Sequence, residues 1–166
     1  MWAKLRPHFK GYPGQERVAQ LMVNYGLRVK GDGVFAGDIG LTDTAIARAA
    51  GVNRRVVTAT VATIRKNRLL SDFFGKLWPV CHLGNVAPMM GWGAIEILPT
   101  NASRPGILAG ISGIIAQANI SVRQVVVDDP EIFEDPRALL ITDRPLPERL
   151  LPKIRKLEGV RGVVIR

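Results

Sequence analysis

Few residues in this chain of 166 can do proton or nucleophile chemistry. The two histidines, His8 and His82, have no Ser or Asp partner in a local motif, so no acid–base or nucleophilic set assembles. Cys81 stands alone, which removes disulfides and cysteine-based zinc sites and fits a reducing compartment. His82 beside it adds a ligand type, but nothing elsewhere completes a metal site. The acidic run Asp128, Asp129, Glu131, Glu134 and Asp135 offers oxygen ligands, yet its spacing matches no calcium loop and reads as solvated. Gly31-Asp32-Gly33 lacks the further glycine and the strand-to-helix setting of a nucleotide loop. The residues therefore predict no catalytic group, no metal and no cofactor. The chain reads as one that binds rather than as an enzyme.

Two stretches have the chemistry to bind. The first is residues 99–108, Pro-Thr-Asn-Ala-Ser-Arg-Pro-Gly-Ile-Leu, read as a turn from strand to helix. Pro105 suits a first helical position, and Gly106, Ile107 and Leu108 would then aim free N–H groups at a carboxylate or similar anion. The second is Asn53-Arg54-Arg55, where an amide and two guanidinium groups stand at a helix start in a basic part of the chain. Residues 1–80 hold 13 Lys and Arg against 5 Asp and Glu, a net charge of +8; residues 81–166 hold 10 against 9, a net +1. A basic half beside a neutral half predicts that one half meets polyanions.

The elements that must position these residues follow from periodicity. Residues 1–14, basic and punctuated by Pro and Gly, read as a mobile arm. Residues 15–25 read as a helix with Val18, Ala19, Met22 and Tyr25 recurring at helical spacing and Gly26 beyond its end. Leu27-Arg28-Val29-Lys30 and Val34-Phe35-Ala36 flank Gly31-Asp32-Gly33 as a hairpin. Thr42 caps a helix with Ile46, Ala49 and Ala50 on its apolar side. Gly51-Val52-Asn53 is a tight turn, and Asn53 caps a second helix that buries Val56, Val57, Val61 and Ile64. Arg54, Arg55, Thr58, Arg65 and Lys66 are left outside. Phe73, Phe74 and Trp78 read as a core plug or an interface cover, because no basic–aromatic alternation marks a stacking platform.

From residue 92 the order is strand 93–98, helix 105–118, strand 120–127, strand 137–142, helix 147–157 and strand 160–165. Asn119 takes a left-handed conformation, and Pro152 kinks the last helix or delays its start. This is the βαββαβ, ferredoxin-like plan. Gly106, Gly110 and Gly113 lie on one side of its first helix. Interior glycine costs about 1 kcal/mol against Ala, so either a close backbone or ligand approach or good packing on the apolar side must account for them. The fold class predicted is α+β, with a mainly helical domain at 1–79, a linker at 80–91 and a βαββαβ domain at 92–166. Hydrophobic content of 47%, mean hydropathy +0.12 and no run of 18 apolar residues predict a packed, soluble, cytoplasmic protein without a membrane span.

Ala47, Gly51 and Val57 resemble the small, turn and core positions of a DNA-binding helix-turn-helix. That resemblance implies DNA contacts from Asn53, Arg54 and Arg55, with Thr58 and Ala59 further along the groove and Arg65 beyond. Thr60 stands where the family has a branched apolar residue. Ser103-Arg104-Pro105-Gly106-Ile107-Leu108, Asn119-Ile120-Ser121-Val122 and Glu158-Gly159-Val160 together resemble the ACT domain, a small amino-acid-sensing module that works as a dimer or larger assembly. The whole chain resembles an archaeal-type family of predicted regulators of amino-acid metabolism. This implies a homodimer and a small amino acid or related anion on Asn101, Ser103, Gly106, Ile107 and Leu108. The opposite wall would be the partner's Ile120, Ser121, Val122 and Arg123. Ser103 and Ser121 replace the Asp or Asn that amino-acid-binding members often carry, so either the ligand differs or the domain only dimerises. A second reading is a regulatory subunit that binds a metabolic enzyme instead of DNA.

Overall fold

The structure, a computed structural model, describes residues 1–166 and divides into two units, Met1–Cys81 and His82–Arg166. The fold class is α+β: seven α-helices and two antiparallel sheets, one sheet in each unit. No helix is long and apolar enough to cross a membrane.

The first unit opens with α1 (Trp2–Leu5), a 3-10 turn (Arg6–Phe9) and α2 (Pro13–Asn24). Its first residues are not a mobile arm. Trp2, Leu5 and Phe9 are buried, and their spacing of three and four wraps one apolar side into the core despite Pro7. Tyr25 also departs from expectation: it follows the end of α2 and is 67% exposed. Next come β1 (Leu27–Lys30), β2 (Gly33–Ala36) and β3 (Ile39–Leu41), a three-stranded meander. Lys30 pairs with Gly33, so the first turn is the two residues Gly31-Asp32 and Gly33 already belongs to β2. The strand β3 was not expected. Gly37-Asp38 repeats the two-residue turn and lays Ile39 against Ala36.

Three helices complete this unit: α3 (Asp43–Ala50), α4 (Arg54–Lys66) and α5 (Arg68–Phe74). Both α2 and α3 pack on α4, and α5 follows it. Asn67 starts α5 by accepting the Leu70 N–H at 3.1 Å, and Phe74 is buried as a core plug. Trp78 instead remains exposed, with the Arg28 guanidinium 5.0 Å from its ring centre.

The second unit holds β4 (Gly93–Pro99), α6 (Ile107–Gln117), β5 (Val122–Val127), β6 (Ala138–Thr142), α7 (Leu151–Arg155) and β7 (Val160–Ile165). The sheet order is β5-β6-β4-β7, antiparallel throughout, which is the ferredoxin-like arrangement. One sheet face packs on both helices through Ile95, Ile97, Leu140, Val160, Val163, Ile111, Ile115 and Ile154. On the other face Leu83, Ala87 and Trp92 cover Ala94, Leu139 and Ile141. The stretch before β4 is thus part of this unit's second core, and the Leu83 N–H donates to Gln124 at 2.9 Å.

Local chemistry explains the helix ends. Pro105 is not the first helical residue: Gly106 is left-handed at φ +91°, and α6 begins after it, at Ile107. Asn119 is left-handed at φ 55°, as its type allows. Residues Glu148–Leu150 form a 3-10 turn, and α7 starts only at Leu151 with Pro152 in its first turn, where a missing N–H costs nothing. Gly110 faces Leu157, whose methyl carbons would stand 3.3 Å from an added Cβ; Gly113 faces open space. Packing of Leu157, just beyond α7, accounts for the first of these glycines, not the second.

Candidate nucleic-acid interface and ligand pocket

The pair α3–α4 is built by its caps. The Thr42 side chain accepts the Ala45 N–H at 3.2 Å and starts α3. Gly51 ends it at φ +63°, where a side chain would be strained. Asn53 then accepts the Arg55 N–H at 2.9 Å and starts α4. Val57, Val61 and Ile64 are buried, and so is Thr60, at 0% exposure. Thr60 fits an apolar site because its hydroxyl donates to the Val56 carbonyl at 2.7 Å, leaving only its methyl to pack.

The exposed side of α4 carries Arg54, Arg55, Thr58, Arg65 and Lys66. Their situations differ. Arg54 and Arg55 have no carboxylate partner. Thr58 donates to Asp43 at 2.7 Å, and Arg65 pairs with Asp32 at the hairpin tip. The Asn53 carbonyl is spent on its cap. All five carboxylates of the unit are occupied: Glu16 by Arg6, Asp32 by Arg65, Asp38 by Arg28, Asp72 by Arg68 and Asp43 by Thr58. Nine exposed cations are left without one: Lys4, Lys10, Arg17, Lys30, Arg48, Arg54, Arg55, Lys66 and Lys76. The unit's surface is therefore a source of uncompensated positive potential.

The second candidate lies under the start of α6. Ile97, Ile107, Ile111, Val127 and Ala138 line a mostly apolar cavity of about 130 Å³, with Arg104, Asp128 and Arg137 as its polar groups. The first bond of α6 runs from Gly110 N–H to Gly106 C=O, so the N–H groups of Ile107, Leu108 and Ala109 have no intrahelical partner. Of the loop residues expected to grip a ligand, Ile107 and Leu108 line this cavity, whereas Asn101, Ser103 and Gly106 do not. The Asn101 carbonyl is used locally, accepting the Ser103 N–H at 2.9 Å.

Ile120, Ser121, Val122 and Arg123 lie at the other end of the sheet. Val122 pairs with Thr142, which pairs with Gly93 at the start of β4; Val127 pairs with Ala138, which pairs with Ile97 near its end. Ile120, at 6% exposure, is a core residue and offers nothing to a ligand. Ser121 exchanges bonds with Asp143, and Arg123 sits 4.2 Å over the Trp92 ring. None of the three polar groups is expected at this pocket from the sequence: Arg104 stands there only in the turn before α6, Asp128 only in the acidic run, and Arg137 only as the start of a strand. The signal for the last two was the β5–β6 pairing itself, which sets Asp128 opposite Arg137 with bonds of 2.9 and 3.1 Å.

Beside the cavity, Glu96 is 9% exposed on the sheet face away from the helices and joins Arg137, at 3.2 Å, to Arg166. Burial alone would raise its carboxyl pKa; the hydrogen bonds from Arg166 and Arg137, with their charges, more than offset this and hold it low. Asp135, in the acidic loop, is held low by Arg137 and Arg161.

No protein-family model matches the chain, and no curated protein matches it. Among solved structures it is similar to a homoserine dehydrogenase from Thiobacillus denitrificans, at 21% identity and TM-score 0.36, over 69% of this chain and 28% of that one. It is also similar to the protein PH0061, at 11% identity and TM-score 0.27, over 92% and 88% of the two chains. The chain thus spans under a third of the dehydrogenase's length.

Proposed function

We propose that the protein is a ligand-responsive, DNA-binding regulator of amino-acid metabolism, built as a helix-turn-helix followed by an ACT domain. The observation that carries this reading is the capped α3–turn–α4 pair with Arg54 and Arg55 unpaired at the start of α4, in a unit whose carboxylates are all engaged. In a helix-turn-helix, that end of the second helix enters the major groove, where arginine recognises guanine and phosphate. The ferredoxin-like plan, the free N–H groups of α6 and the cavity beneath them are consistent with a sensor for a small carboxylate.

The two walls expected of the ACT site lie at opposite ends of β5, so one chain cannot close it. An antiparallel β5–β5 pair between two copies brings one copy's Val122 end to the other's Val127 end. The edge position of β5 and its exposed Val122, Val125 and Val127 favour that pairing. One feature favours the alternative, a regulatory subunit for a metabolic enzyme: Thr58 and Arg65 are engaged by Asp43 and Asp32 rather than free for bases.

The test is fluorescence anisotropy of duplex DNA with the full chain, with and without each amino acid, at two salt concentrations. Binding should weaken steeply with salt, and Arg54→Gln with Arg55→Gln should cost about 2–4 kcal/mol. Salt-insensitive binding, or binding indifferent to this pair, removes the DNA reading. An affinity unmoved by any amino acid removes the sensing part alone.

A further inference from the structure

The β1–β2–β3 meander of the first unit turns one face to the core and leaves the other open. Leu27 and Val34 are buried on the core side, so Arg28 and Lys30 on β1 and Phe35 on β2 point the other way. Arg28 pairs across the strands with Phe35, and Phe35 with Gly40 on β3. Glycines make room for the ring. A Cβ on Gly33 would stand 2.9 Å from it and one on Gly40 3.5 Å, so the half-buried Phe35 ring lies down across the sheet where two side chains are missing.

A second aromatic reaches Arg28 from beyond α5. The Trp78 ring packs on the Arg28 guanidinium and against Gly37, where a Cβ would stand 3.5 Å away, yet the residue stays 57% exposed. Arg28 donates to Asp38 and keeps a buried Nε with no hydrogen-bond partner, so the indole is what covers its charge. Two exposed lysines border the rings. Lys30 lies on the same side of β1 as Arg28, and Lys76 follows Gly75, whose Cβ would stand 3.8 Å from the Val29 carbonyl oxygen. Neither lysine is paired with a carboxylate.

We infer that this face binds a single strand of DNA, with unpaired bases stacked on Phe35 and Trp78 and the phosphates drawn to Lys30 and Lys76. A flat ring with an open side takes any base, because every base has a π-face. A duplex buries those faces in its own stack and shows edges and phosphates, so this surface does a different task from the Arg54 end of α4. Charge selects the partner. Residues 1–80 carry +8 and every carboxylate among them is engaged, which calls for an anion. An acidic peptide would satisfy the lysines but brings no flat faces for the rings. RNA would bring 2′-hydroxyls, and the residues of this face include no hydroxyl or amide side chain to meet them.

An end-labelled oligo-dU of about twelve nucleotides is titrated with the full chain and read by anisotropy; unlabelled strand is read by tryptophan fluorescence. An abasic strand of equal length, oligo-rU and an acidic peptide are the comparison arms. Oligo-dU should quench the fluorescence, and the quench should vanish in Trp78→Leu, since Trp2 is buried and Trp92 belongs to the other unit. Trp78→Leu should weaken the strand about tenfold, and Trp78→Phe should recover part of the loss. Lys30→Gln with Lys76→Gln should flatten the salt slope by about 1.4. Arg54→Gln with Arg55→Gln should leave strand binding unchanged, and Trp78→Leu should leave duplex binding unchanged, so this site and the duplex reading stand or fall separately. Should Trp78→Leu lose its circular dichroism signal, the exposed lysine pair serves in its place, expected to weaken the strand several-fold. The inference is overturned by no saturation up to about 100 μM, by full binding in Trp78→Leu, or by an abasic strand that binds as well as oligo-dU. Loss of the strand in the Arg54 and Arg55 variant also overturns it. Tighter binding of oligo-rU or of the acidic peptide overturns the choice of partner.

Discussion

Glu96 shows how a single charged residue is kept in an otherwise apolar strand. Its neighbours along β4 are buried Ile95 and Ile97, and a lone carboxylate among them would be costly. Arg137, just before β6, and Arg166, just after β7, reach it and make the charged form the stable one. Glu96→Gln keeps the shape and removes the charge. It should cost about 1–2 kcal/mol at neutral pH, a figure reduced because water reaches both guanidinium groups. The folded carboxyl has a lowered pKa, so its contribution is complete above the ordinary value of 4.5 and fades as pH falls through the folded one. Urea unfolding should show the gap between wild type and variant shrinking from pH 7 toward pH 3.

At the scale of elements, the short connection between α3 and α4 fixes how the Arg54 end of α4 is presented. Gly51 makes that connection possible, since an L-residue in its left-handed conformation costs about 1–2 kcal/mol. An added Cβ would meet nothing within 4 Å, so Gly51→Ala isolates this backbone term from any clash. Its thermal midpoint should fall accordingly, and Gly51→Asn should recover part of the loss. Gly113 is the counterexample. It lies inside α6 with open space at its Cβ, and Gly113→Ala should stabilise by about 0.5–1 kcal/mol in a separate chain.

For the whole molecule, the question is how many copies act together. The proposed pairing of β5 with a second β5 leaves Val125 at its middle, exposed at the sheet edge. Val125→Lys should convert a dimer to a monomer in light scattering while the circular dichroism spectrum stays unchanged. Two linked DNA-binding units gain avidity over one, so the same variant should lose DNA affinity without touching α4. A wild-type chain that scatters as a monomer at micromolar concentration sinks the pairing.

Much of this was legible in the residues themselves. Thr42, Gly51 and Asn53 mark α3, its turn and α4, and the alternation of β-branched runs with helical ones lays out the βαββαβ order. These signals are local: caps, left-handed residues and apolar spacing act within a few positions of one another. Where Pro and Gly dominated the local signal, reading failed. Residues 1–14 looked like an arm because Trp2, Leu5 and Phe9 declare themselves only when a core is there to receive them. The sites depended still more on what is distant. Which cations remain unpaired was decided by Asp32 reaching Arg65 across 33 positions and Glu96 joining Arg166 across 70. Strand register set Ile120–Arg123 at the far end of β5 from the start of α6, and placed Asp128 and Arg137 at the cavity instead. Sequence alone set α2, α3, α4 and the βαββαβ order, because helix and strand formation is short-range. Only the tertiary structure decided which charges and N–H groups remain free to bind, because partners from distant positions satisfy the others.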